Sequence, residues 1–263
     1  VLDSLAIAFT GEKKNKKILE HAFNICPDVG IIAETMAQQG LAGIQKIDIH
    51  VGRPIKMMLC QRVKNIEEIQ EKIPGPIEVE EKYDGERIQV HKSQGKITLF
   101  SRRLENITEQ YPDVINYLEN QVQAKEYVIE GEVVAIDEKN RVLPFQVLMQ
   151  RRRKYDIEEY VKKIPVCFFL FEILYLDGKS YLQKTHPQRM AALKKITSTG
   201  KHLTIAGKIV TENIKEVDKF FRNSLKEGYE GIIAKSMAKD SFYQPGNRGW
   251  LWIKWKKDYV TEL

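Results

Sequence analysis

Residues 77–91 read IEVEEKYDGERIQVH, and this stretch decides the fold of the 263-residue chain. Apolar and polar residues alternate over Ile77–Glu81 and again over Arg87–His91, which predicts two half-buried β-strands. Asp84-Gly85 between them is a turn signal, because both residues tolerate the backbone angles of a tight reversal. The stretch therefore predicts a hairpin in which Lys82 is held near the bend.

Lys82 is the candidate nucleophile. It must lose its proton before it can attack phosphorus. Burial or a nearby cation would lower the pKa of this amine, because each disfavours the ammonium form. Arg87 lies across the turn and could supply such a charge. The alternative from these residues alone is an exposed hairpin whose lysine and arginine are solvated.

Carboxylates in two other apolar strands are candidate metal ligands. Glu132, within Glu130-Gly131-Glu132, and Glu230, which opens Glu230–Lys235, both stand beside strongly apolar runs. A buried carboxylate needs a partner, and Mg²⁺ takes carboxylate oxygens while keeping water and phosphate oxygens as its other ligands. The alternative is a pair of ordinary glutamates at strand ends.

Lys254 and Lys256 form a candidate phosphate clamp in a strand predicted over Leu251–Lys257. In a strand these two lysines point to one side, whereas Ile253 and Trp255 point to the other. Two ammonium groups backed by a packed apolar face could bind phosphate oxygens. The alternative is an amphipathic edge strand whose lysines guard it against aggregation.

An apolar strand and two arginine-rich segments supply the remaining candidates. Val166–Leu176 is apolar enough for both of its faces to be buried. One of its phenylalanines could stack on a purine base; otherwise the run is simply core. Phe100–Arg103 and Arg151–Lys154 carry arginines, whose planar fork suits phosphate and ribose contacts. A charge run of this kind is otherwise a solvated surface.

The chain divides into three segments. Residues 1–49 read as short helices, of which one over Val29–Gln39 is expected to end at Gly40. Residues 50–76 read as a connector with a short charged helix. Over residues 77–263, strands and helices follow each other in mixed order, which predicts an α+β domain.

Composition narrows the class of protein without deciding it. The net charge of +6 is compatible with nucleic acid, nucleotide phosphates or an anionic membrane surface as a partner. No apolar run reaches the roughly 18 residues that span a bilayer. Three cysteines without a CxxC pair, and five histidines without an HExxH pattern, argue against a disulfide framework or a zinc site.

In their order along the chain, these motifs resemble those of the covalent nucleotidyltransferases, and most closely those of the archaeal and eukaryotic ATP-dependent DNA ligases. Lys82–Arg87 is similar to the KxDGxR nucleophile motif, Glu230–Lys235 to EGxxxK, and Lys254–Lys256 to KxK. Further segments also resemble the family's sequences, namely Gly52–Ile55, Phe100–Arg102, Tyr127–Ala135, Pro144–Lys154 and Val166–Gly178. The resemblance covers nearly the whole chain.

The resemblance implies an α+β nucleotidyltransferase (adenylation) domain of antiparallel sheets flanked by helices, preceded by a short all-α segment. Residues 1–49 would be the C-terminal helices of a truncated DNA-binding domain, residues 50–76 a connector, and residues 77–263 the adenylation domain. The OB-fold domain that follows in the family is expected to be absent. We therefore expect this chain to bind ATP, to adenylylate slowly and to seal nicks poorly.

The resemblance also implies roles for individual residues. Lys82 would become AMP-lysine. Glu80 would contact the adenine edge, and Phe171 would stack on adenine, with Phe169 as the competing aromatic. The ribose and phosphates would be contacted by Arg87, Arg102, Glu132, Arg248, Lys254 and Lys256. Mg²⁺, or water bound to it, would be held by Glu132 and Glu230.

The implied reaction is the sealing of nicks in duplex DNA through a covalent Lys82–AMP intermediate formed from ATP, with Mg²⁺ as cofactor. The family implies a monomer without membrane association, and a sliding clamp could bind through a region outside this chain. The site of action would be the cytoplasm, at the nucleoid, in an archaeon, or the nucleus in a eukaryote. Two alternatives stay open: an RNA ligase or mRNA-capping-type nucleotidyltransferase, and a non-catalytic nucleic-acid-binding module.

Overall fold

The structure is a computed structural model that describes residues 1–151 and 156–256. Arg152–Lys154 of the predicted basic run, and Lys257 of the last predicted strand, lie outside the described residues. The helices described are α1 (Leu2–Thr10), α2 (Lys16–Ile25), α3 (Val29–Ile44), α4 (Glu67–Lys72), α5 (Pro112–Gln121), α6 (Phe145–Met149), α7 (Ile157–Lys163), α8 (His186–Ile196) and α9 (Ile214–Lys226). The strands described are β1 (Leu59–Arg62), β2 (Ile77–Lys82), β3 (Glu86–Ser93), β4 (Lys96–Ser101), β5 (Tyr127–Ala135), β6 (Val166–Leu176), β7 (Lys179–Ser180), β8 (Leu203–Ile205), β9 (Lys208–Thr211), β10 (Gly231–Ser236) and β11 (Arg248–Lys256).

The strands form two sheets. The order in the first sheet is β1-β11-β10-β2-β9, and in the second it is β4-β3-β5-β6-β7, with β8 beside β6. Neighbouring strands run antiparallel, except that β1 is parallel to β11 and β8 is parallel to β6. The predicted α+β architecture of antiparallel sheets flanked by helices is therefore confirmed.

Alternation along the strands gives each sheet an apolar outer face. In the first sheet, Val79 of β2 packs with Ile69 of α4 and Phe221 of α9. The second sheet buries its outer face against α5 and α8, through residues such as Leu118 and Leu193. Because side chains alternate, the charged residues of the same strands are directed to the inner faces.

The inner faces of the two sheets meet around a separate apolar cluster. It contains Trp252 of the first sheet, Val128 and Leu174 of the second, and Tyr243 from the loop before β11. The cleft between the sheets therefore has an apolar base, beside which the charged residues of both inner faces are arranged.

Helices α1, α2 and α3 pack around their own small core, which includes Leu19 and Ile32. Asp28 caps α3 as a short acidic side chain should, since its Oδ1 accepts from the N–H of Gly30 and of Ile31. The helix predicted over Val29–Gln39 is interrupted at Gly40, as expected. Gly40 has non-helical backbone angles, with φ at 61° and ψ at −159°, and a second helical segment follows it to Ile44. In the described part of the chain, no helix has both the length and the apolar character to cross a membrane.

The connector contributes to the first sheet as well as joining segments. It contains α4, close to the helix predicted there, and also β1, which was not predicted. Strand β1 pairs with β11, whose residues lie far away in sequence, so no local pattern indicates the pairing. The domain boundaries at residues 49 and 76 stay predictions.

Candidate active site

Lys82 is anchored on both sides at the end of β2. It pairs with Gly231 of β10, and its carbonyl oxygen accepts from Glu230 N at 2.8 Å. The next residue, Tyr83, is buried and stacks on Phe169 of the second sheet, with ring centroids 4.0 Å apart. The Lys82 side chain is only 20% exposed, so it lies in the cleft and not in bulk solvent.

Glu230 is shared by two lysines. Lys82 Nζ donates to Glu230 Oε2, and Lys256 Nζ donates to Glu230 Oε1 at 2.7 Å. Gly231 lies between the two lysines in the sheet, paired with both. Its φ is 152°, and a Cβ at this position would come within 2.3 Å of Trp255 O. Only glycine therefore fits at this point between β10 and β11. The close approach of β10 and β11 brings both amines to one carboxylate.

Lys254 lies two residues before Lys256, on the same face of β11. Burial lowers the pKa of Lys254, the Cys60 thiol opposes this shift, and the charges of Lys82, Arg248 and Lys256 lower the pKa further. Among the described residues, no carboxylate pairs with Lys254. This amine is therefore available to an anionic ligand.

The opposite face of β11 is apolar, as the alternation of the sequence predicts. Ile253 is fully buried, and Trp255 stacks on Phe221 of α9 with ring centroids 3.8 Å apart. The strand that carries the two lysines is thus packed from behind, which holds the amines on a rigid element.

Glu132 faces Lys82 from the second sheet. Within that sheet it pairs with Arg87 of β3 and Phe169 of β6. Burial raises the pKa of Glu132 to about 7; Lys82 and Arg87 oppose the rise, and Glu230 adds to it. The carboxyl group therefore lies in an enclosed position within the electrostatic reach of both members of the Lys82–Glu230 pair.

The turn at Asp84-Gly85 brings the nucleophile candidate and this carboxylate together. A Cβ on Gly85 would come within 2.2 Å of Val133 O and 3.0 Å of Glu132 Cγ. The turn therefore passes directly over β5, at a distance that only glycine allows. This close approach is the physical reason why a glycine stands at position 85 of the hairpin.

Glu132 and Glu230 fit a magnesium ion by the chemistry of their donor groups. The charge of Glu230 raises the cost of ionising Glu132, and a divalent cation between the two carboxylates would remove that repulsion. Mg²⁺ prefers carboxylate, water and phosphate oxygens, and it commonly uses one or two carboxylates together with substrate phosphates. The residues present therefore suit this ion.

A second group of metal-ligand types lies deeper in the cleft. Glu78, Glu80 and His186 offer ligand atoms within 4.8 Å of one another. However, Lys208 Nζ lies 2.7 Å from Glu78 Oε2, and Lys235 Nζ lies 2.6 Å from Glu80 Oε2. Two ammonium groups already neutralise these carboxylates and would repel a cation, so this group reads as a buried ionic network.

Arg87 is held in the cleft by both terminal nitrogens. Nη2 donates to Glu130 Oε2 at 2.7 Å, and Nη1 donates to Met58 O at 2.8 Å. The guanidinium carbon lies 5.2 Å from the centroid of the Phe171 ring and 5.6 Å from that of Trp252. Burial alone would lower the pKa of Arg87, but the charge of Glu130 raises it. Its buried Nε has no hydrogen-bond partner among the described residues.

Phe171 owes its position to a bulge in β6. Glu130 pairs with Glu172 and Gly131 pairs with Leu170, so Phe171 is the extra residue between the two pairs. Its ring meets Trp252 edge-on, with centroids 6.4 Å apart. The competing aromatic of the same strand is already stacked on Tyr83. Phe171 is therefore the one of these two rings that is not stacked face to face on another described aromatic ring.

Glu80 is almost fully buried at the inner face of β2. Burial raises its pKa, and the charge of Lys235 opposes the rise. Lys235 Nζ donates to Phe171 O at 3.0 Å as well as binding Glu80 Oε2. Glu80 Oε1 has no partner in the described part of the chain. One lysine thus holds the candidate stacking ring and the candidate base-edge acceptor side by side.

Comparison with known proteins identifies the family. Residues 57–256 match the profile of the ATP dependent DNA ligase domain. The chain belongs to this family. It is 45% identical over 266 residues to DNA ligase 1 of Methanosarcina acetivorans, covering 98% of this chain and 46% of that protein. A DNA ligase of Sulfophobococcus zilligii is 46% identical over 264 residues, covering 100% of this chain and 44% of that protein. The chain spans about half the length of these relatives.

Solved structures agree with this ligase-domain assignment. A mycobacterial DNA ligase D complexed with ATP and MES gives a TM-score of 0.56 at 28% identity, covering 76% of this chain and 59% of that chain. A structure named Pmar-Lig_PreS3 gives a TM-score of 0.60 at 21% identity, covering 87% of this chain and 50% of that chain, and supports the fold alone. The family match favours DNA ligases over the RNA ligase and capping alternatives that share the lysine motif.

Two of the arginines predicted to contact nucleotide in this ligase domain lie at the rim. Arg102 is exposed and directly follows β4. Because Ser101 pairs with Ile88 of β3, Arg102 is the next residue along and lies beside Arg87. Arg248 is exposed at the start of β11, where its Nη1 donates to Cys60 O at 3.4 Å. Neither contacts the Lys82–Glu230 pair directly, so their predicted roles stay predictions.

Sequence reasoning missed residues that complete the ligase-domain cleft. Glu130 shares a face of β5 with Glu132, two positions away, and this spacing could have indicated it. Lys235 closes the EGxxxK motif, which also carried a signal. Gln89 and Tyr243 bind Glu130 at distances of 2.9 to 3.1 Å, but neither residue stands in a pattern that points to a site.

Proposed function

We propose that this chain is the catalytic core of an ATP-dependent DNA ligase, which forms Lys82–AMP from ATP and uses it to seal nicks in duplex DNA. The observation that carries the proposal is the convergence of Lys82 and Lys256 on Glu230, with Glu132 facing them from the other sheet. A nucleophilic lysine in a cationic cleft edged by carboxylates suits nucleotidyl transfer to an amine.

In the first step, Lys82 Nζ attacks the α-phosphate of ATP. The nitrogen–phosphorus bond forms, the bond from phosphorus to the bridging oxygen breaks, and pyrophosphate leaves. Lys82 must lose a proton and leave Glu230 to do so. Lys256 binds the other oxygen of Glu230, so the carboxylate keeps a cationic partner when Lys82 turns to the phosphate.

The phosphates would lie between the two lysines of β11 and the metal-binding carboxylates. Lys254, which no carboxylate among the described residues pairs with, would bind a phosphate oxygen directly. Glu132 and Glu230 would hold Mg²⁺, which when bound neutralises negative charge on the phosphates. Arg87, whose Nε has no partner among the described residues, would contact the ribose between the base and the phosphates.

The base would lie on Phe171 with its edge toward Glu80. The free Oε1 of Glu80 is an acceptor, and adenine presents an exocyclic amino donor at the position where guanine presents a carbonyl acceptor. A buried acceptor without a donor is costly, so this edge favours ATP over GTP.

The later steps transfer AMP and join DNA. AMP passes from Lys82 to the 5′-phosphate of a nick, as the nitrogen–phosphorus bond breaks and a phosphate–phosphate linkage forms. The neighbouring 3′-hydroxyl then attacks the 5′-phosphate, the phosphodiester forms and AMP leaves. The names of the relatives and the family match support nicked duplex DNA as the substrate.

The same proposal includes a monomeric state, action at the nucleoid and a sliding clamp as a partner that binds through other regions.

Labelling with ATP tests the covalent intermediate. The chain, incubated with α-labelled ATP and Mg²⁺, should gain the mass of one AMP on Lys82. Lys82→Arg should abolish the adduct while keeping a cation beside Glu230, so that folding is preserved. Lys96→Arg, at an exposed lysine that begins β4, is the matched control and should label like the unaltered chain. An adduct that persists in Lys82→Arg, or no adduct on the unaltered chain, would contradict the proposal.

Substrate competition tests the choice of nucleotide and nucleic acid. Labelled ATP should give the adduct and labelled GTP should not. The pre-adenylylated chain should pass AMP to the 5′-phosphate of nicked duplex DNA more readily than to nicked RNA. A preference for GTP would instead indicate a capping-type enzyme, and a preference for nicked RNA would indicate an RNA ligase.

A further inference from the structure

Residues 52–58 lie in the first part of the connector and are called the connector segment below. Their backbone forms hydrogen bonds with side chains on the inner face of β3. Gly52 N donates to His91 Nδ1 at 3.0 Å. Ile55 N donates to Gln89 Oε1 at 2.7 Å, and Ile55 O accepts from Gln89 Nε2 at 3.2 Å. One amide side chain therefore pairs with both polar atoms of Ile55, as the backbone of a neighbouring strand would.

Met58, at the far end of the connector segment, also has both of its backbone polar atoms hydrogen-bonded, in this case by two different side chains. Its N–H donates to Tyr243 OH at 2.8 Å, and its carbonyl accepts from Arg87 Nη1 at 2.8 Å. Tyr243 OH in turn donates to Glu130, at 3.1 and 3.0 Å from its two oxygens. The connector segment is thus bonded directly to residues of the cleft at both ends.

Gln89 lies at the centre of these contacts. It is completely buried, and its Oε1 accepts from His91 Nε2 at 2.9 Å as well as from Ile55 N. Its Nε2 donates to Glu130 Oε1 at 2.9 Å as well as to Ile55 O. Both ends of the amide are therefore fully used. A continuous chain of hydrogen bonds runs from the connector segment through Gln89 to Glu130, and from Glu130 to Arg87.

We propose that Gln89 is a positioning residue for the nucleotide site. It ties the connector segment to the Glu130–Arg87 pair, and Arg87 in turn packs against Phe171. Losing Gln89 would let Arg87 and the Phe171 ring shift relative to the bound base. The inference rests on the proposed function, because ATP binding is the property that Gln89 would control.

The opposite reading is that Gln89 only contributes to folding. Val90, the next residue, separates the two readings because it is equally buried but packs on the outer face of the same strand, away from the cleft. A variant at Val90 weakens the core of β3 without touching the hydrogen-bonded chain.

The test compares Gln89→Met with Val90→Ala in the full chain. Methionine keeps the volume of Gln89 and removes all of its hydrogen bonds. The dissociation constant for ATP, measured by calorimetry, and the ATP concentration that half-saturates single-turnover adenylylation should both rise about tenfold in Gln89→Met. The maximal adenylylation rate should change far less. Val90→Ala should lower the melting temperature while leaving both ATP constants unchanged.

A double variant tests whether Gln89 acts through Glu130. In a Glu130→Gln background, Gln89→Met should weaken ATP binding by less than about threefold, because the link is already broken. Two results would overturn the inference. One is an unchanged ATP affinity in Gln89→Met. The other is a loss of affinity in the double variant that equals the product of the losses in the two single variants. Gln89→Asn, whose shorter amide cannot span Ile55 and Glu130, takes the place of Gln89→Met if that variant does not fold.

The unaltered chain separates this inference from the proposed function. If the chain binds ATP without forming AMP-lysine, the proposed function fails, and the calorimetric comparison still decides the role of Gln89. If AMP-lysine forms but Gln89→Met binds ATP normally, only the inference fails. If the chain does not bind ATP at all, both are overturned.

Discussion

His91 should make the stability of the fold depend on pH. It is 1% exposed; its Nδ1 accepts from Gly52 N at 3.0 Å, and its Nε2 donates to Gln89 Oε1 at 2.9 Å. Burial, together with the charge of the nearby His50, lowers the pKa of His91 to about 3. A second proton on Nδ1 would face the N–H of Gly52, so the charged ring cannot keep both hydrogen bonds.

The two pKa values set the size of the effect. In the unfolded chain a histidine has a pKa of about 6.5, against about 3 for His91 in the folded state. The unfolded state therefore binds more protons between these values, so the contribution of His91 to stability is complete above about pH 6.5 and is lost as the pH falls. Between pH 7.5 and pH 5 the loss in free energy of unfolding should be about 2 kcal/mol.

Urea unfolding at pH 7.5, 6 and 5 measures this loss. His91→Asn removes the titrating ring but keeps an acceptor for Gly52 N, and His21→Asn, at an exposed position, controls for the removal of a histidine as such. The unaltered chain should lose about 2 kcal/mol more than His91→Asn over this interval. If the two chains lose stability in parallel, the reasoning about His91 is refuted.

Three further predictions concern packing and binding. Arg189→Met should lower the free energy of unfolding by about 3–5 kcal/mol in urea titrations, since it removes the guanidinium that forms an ion pair with the fully buried carboxylate of Glu172; a loss below about 1 kcal/mol would contradict this. Gly85→Ala should reduce AMP labelling of the chain more than it reduces thermal stability, because its Cβ meets the backbone of β5 at 2.2 Å. Phe171→Leu should weaken ATP binding in calorimetry by about 1–3 kcal/mol, whereas Phe169→Leu, next to a stacked tyrosine, should mainly lower the melting temperature.

Local patterns were enough to predict the strands and the turn around Lys82. The alternation around Lys82 and the Asp84-Gly85 signal correspond to β2, β3 and the turn between them. The strand predicted over Val166–Leu176 matches β6 at both ends. Alternation also placed Lys254 and Lys256 on one face of β11. These features depend on side chains two residues apart, which a sequence displays directly.

Features that depend on distant partners could not be predicted in this way. β1 exists only because β11, far along the chain, offers it a parallel neighbour. The bulge that exposes Phe171 arises from the register of β5 against β6, which alternation within one strand cannot reveal. The difference in environment between Phe169 and Phe171 therefore follows from the pairing of the strands and not from a local sequence pattern.

The arrangement of charge along the cleft argues that the nucleotide can bind in only one direction. At the end of the cleft near Phe171, each cation is matched by one carboxylate: Lys235 by Glu80, and Arg87 by Glu130. This end is electrically balanced and suits an uncharged base.

At the opposite end, the three ammonium groups of Lys82, Lys254 and Lys256 face the two carboxylates of Glu132 and Glu230. Burial favours the neutral form of Glu132, which increases the excess of positive charge. A triphosphate is therefore attracted to the end where Lys82 lies, while the base is left to the neutral end. In the proposed reaction, the reversed orientation would set phosphates beside paired charges that have no unmatched cation to offer, so electrostatics as well as shape would bring the α-phosphate to Lys82.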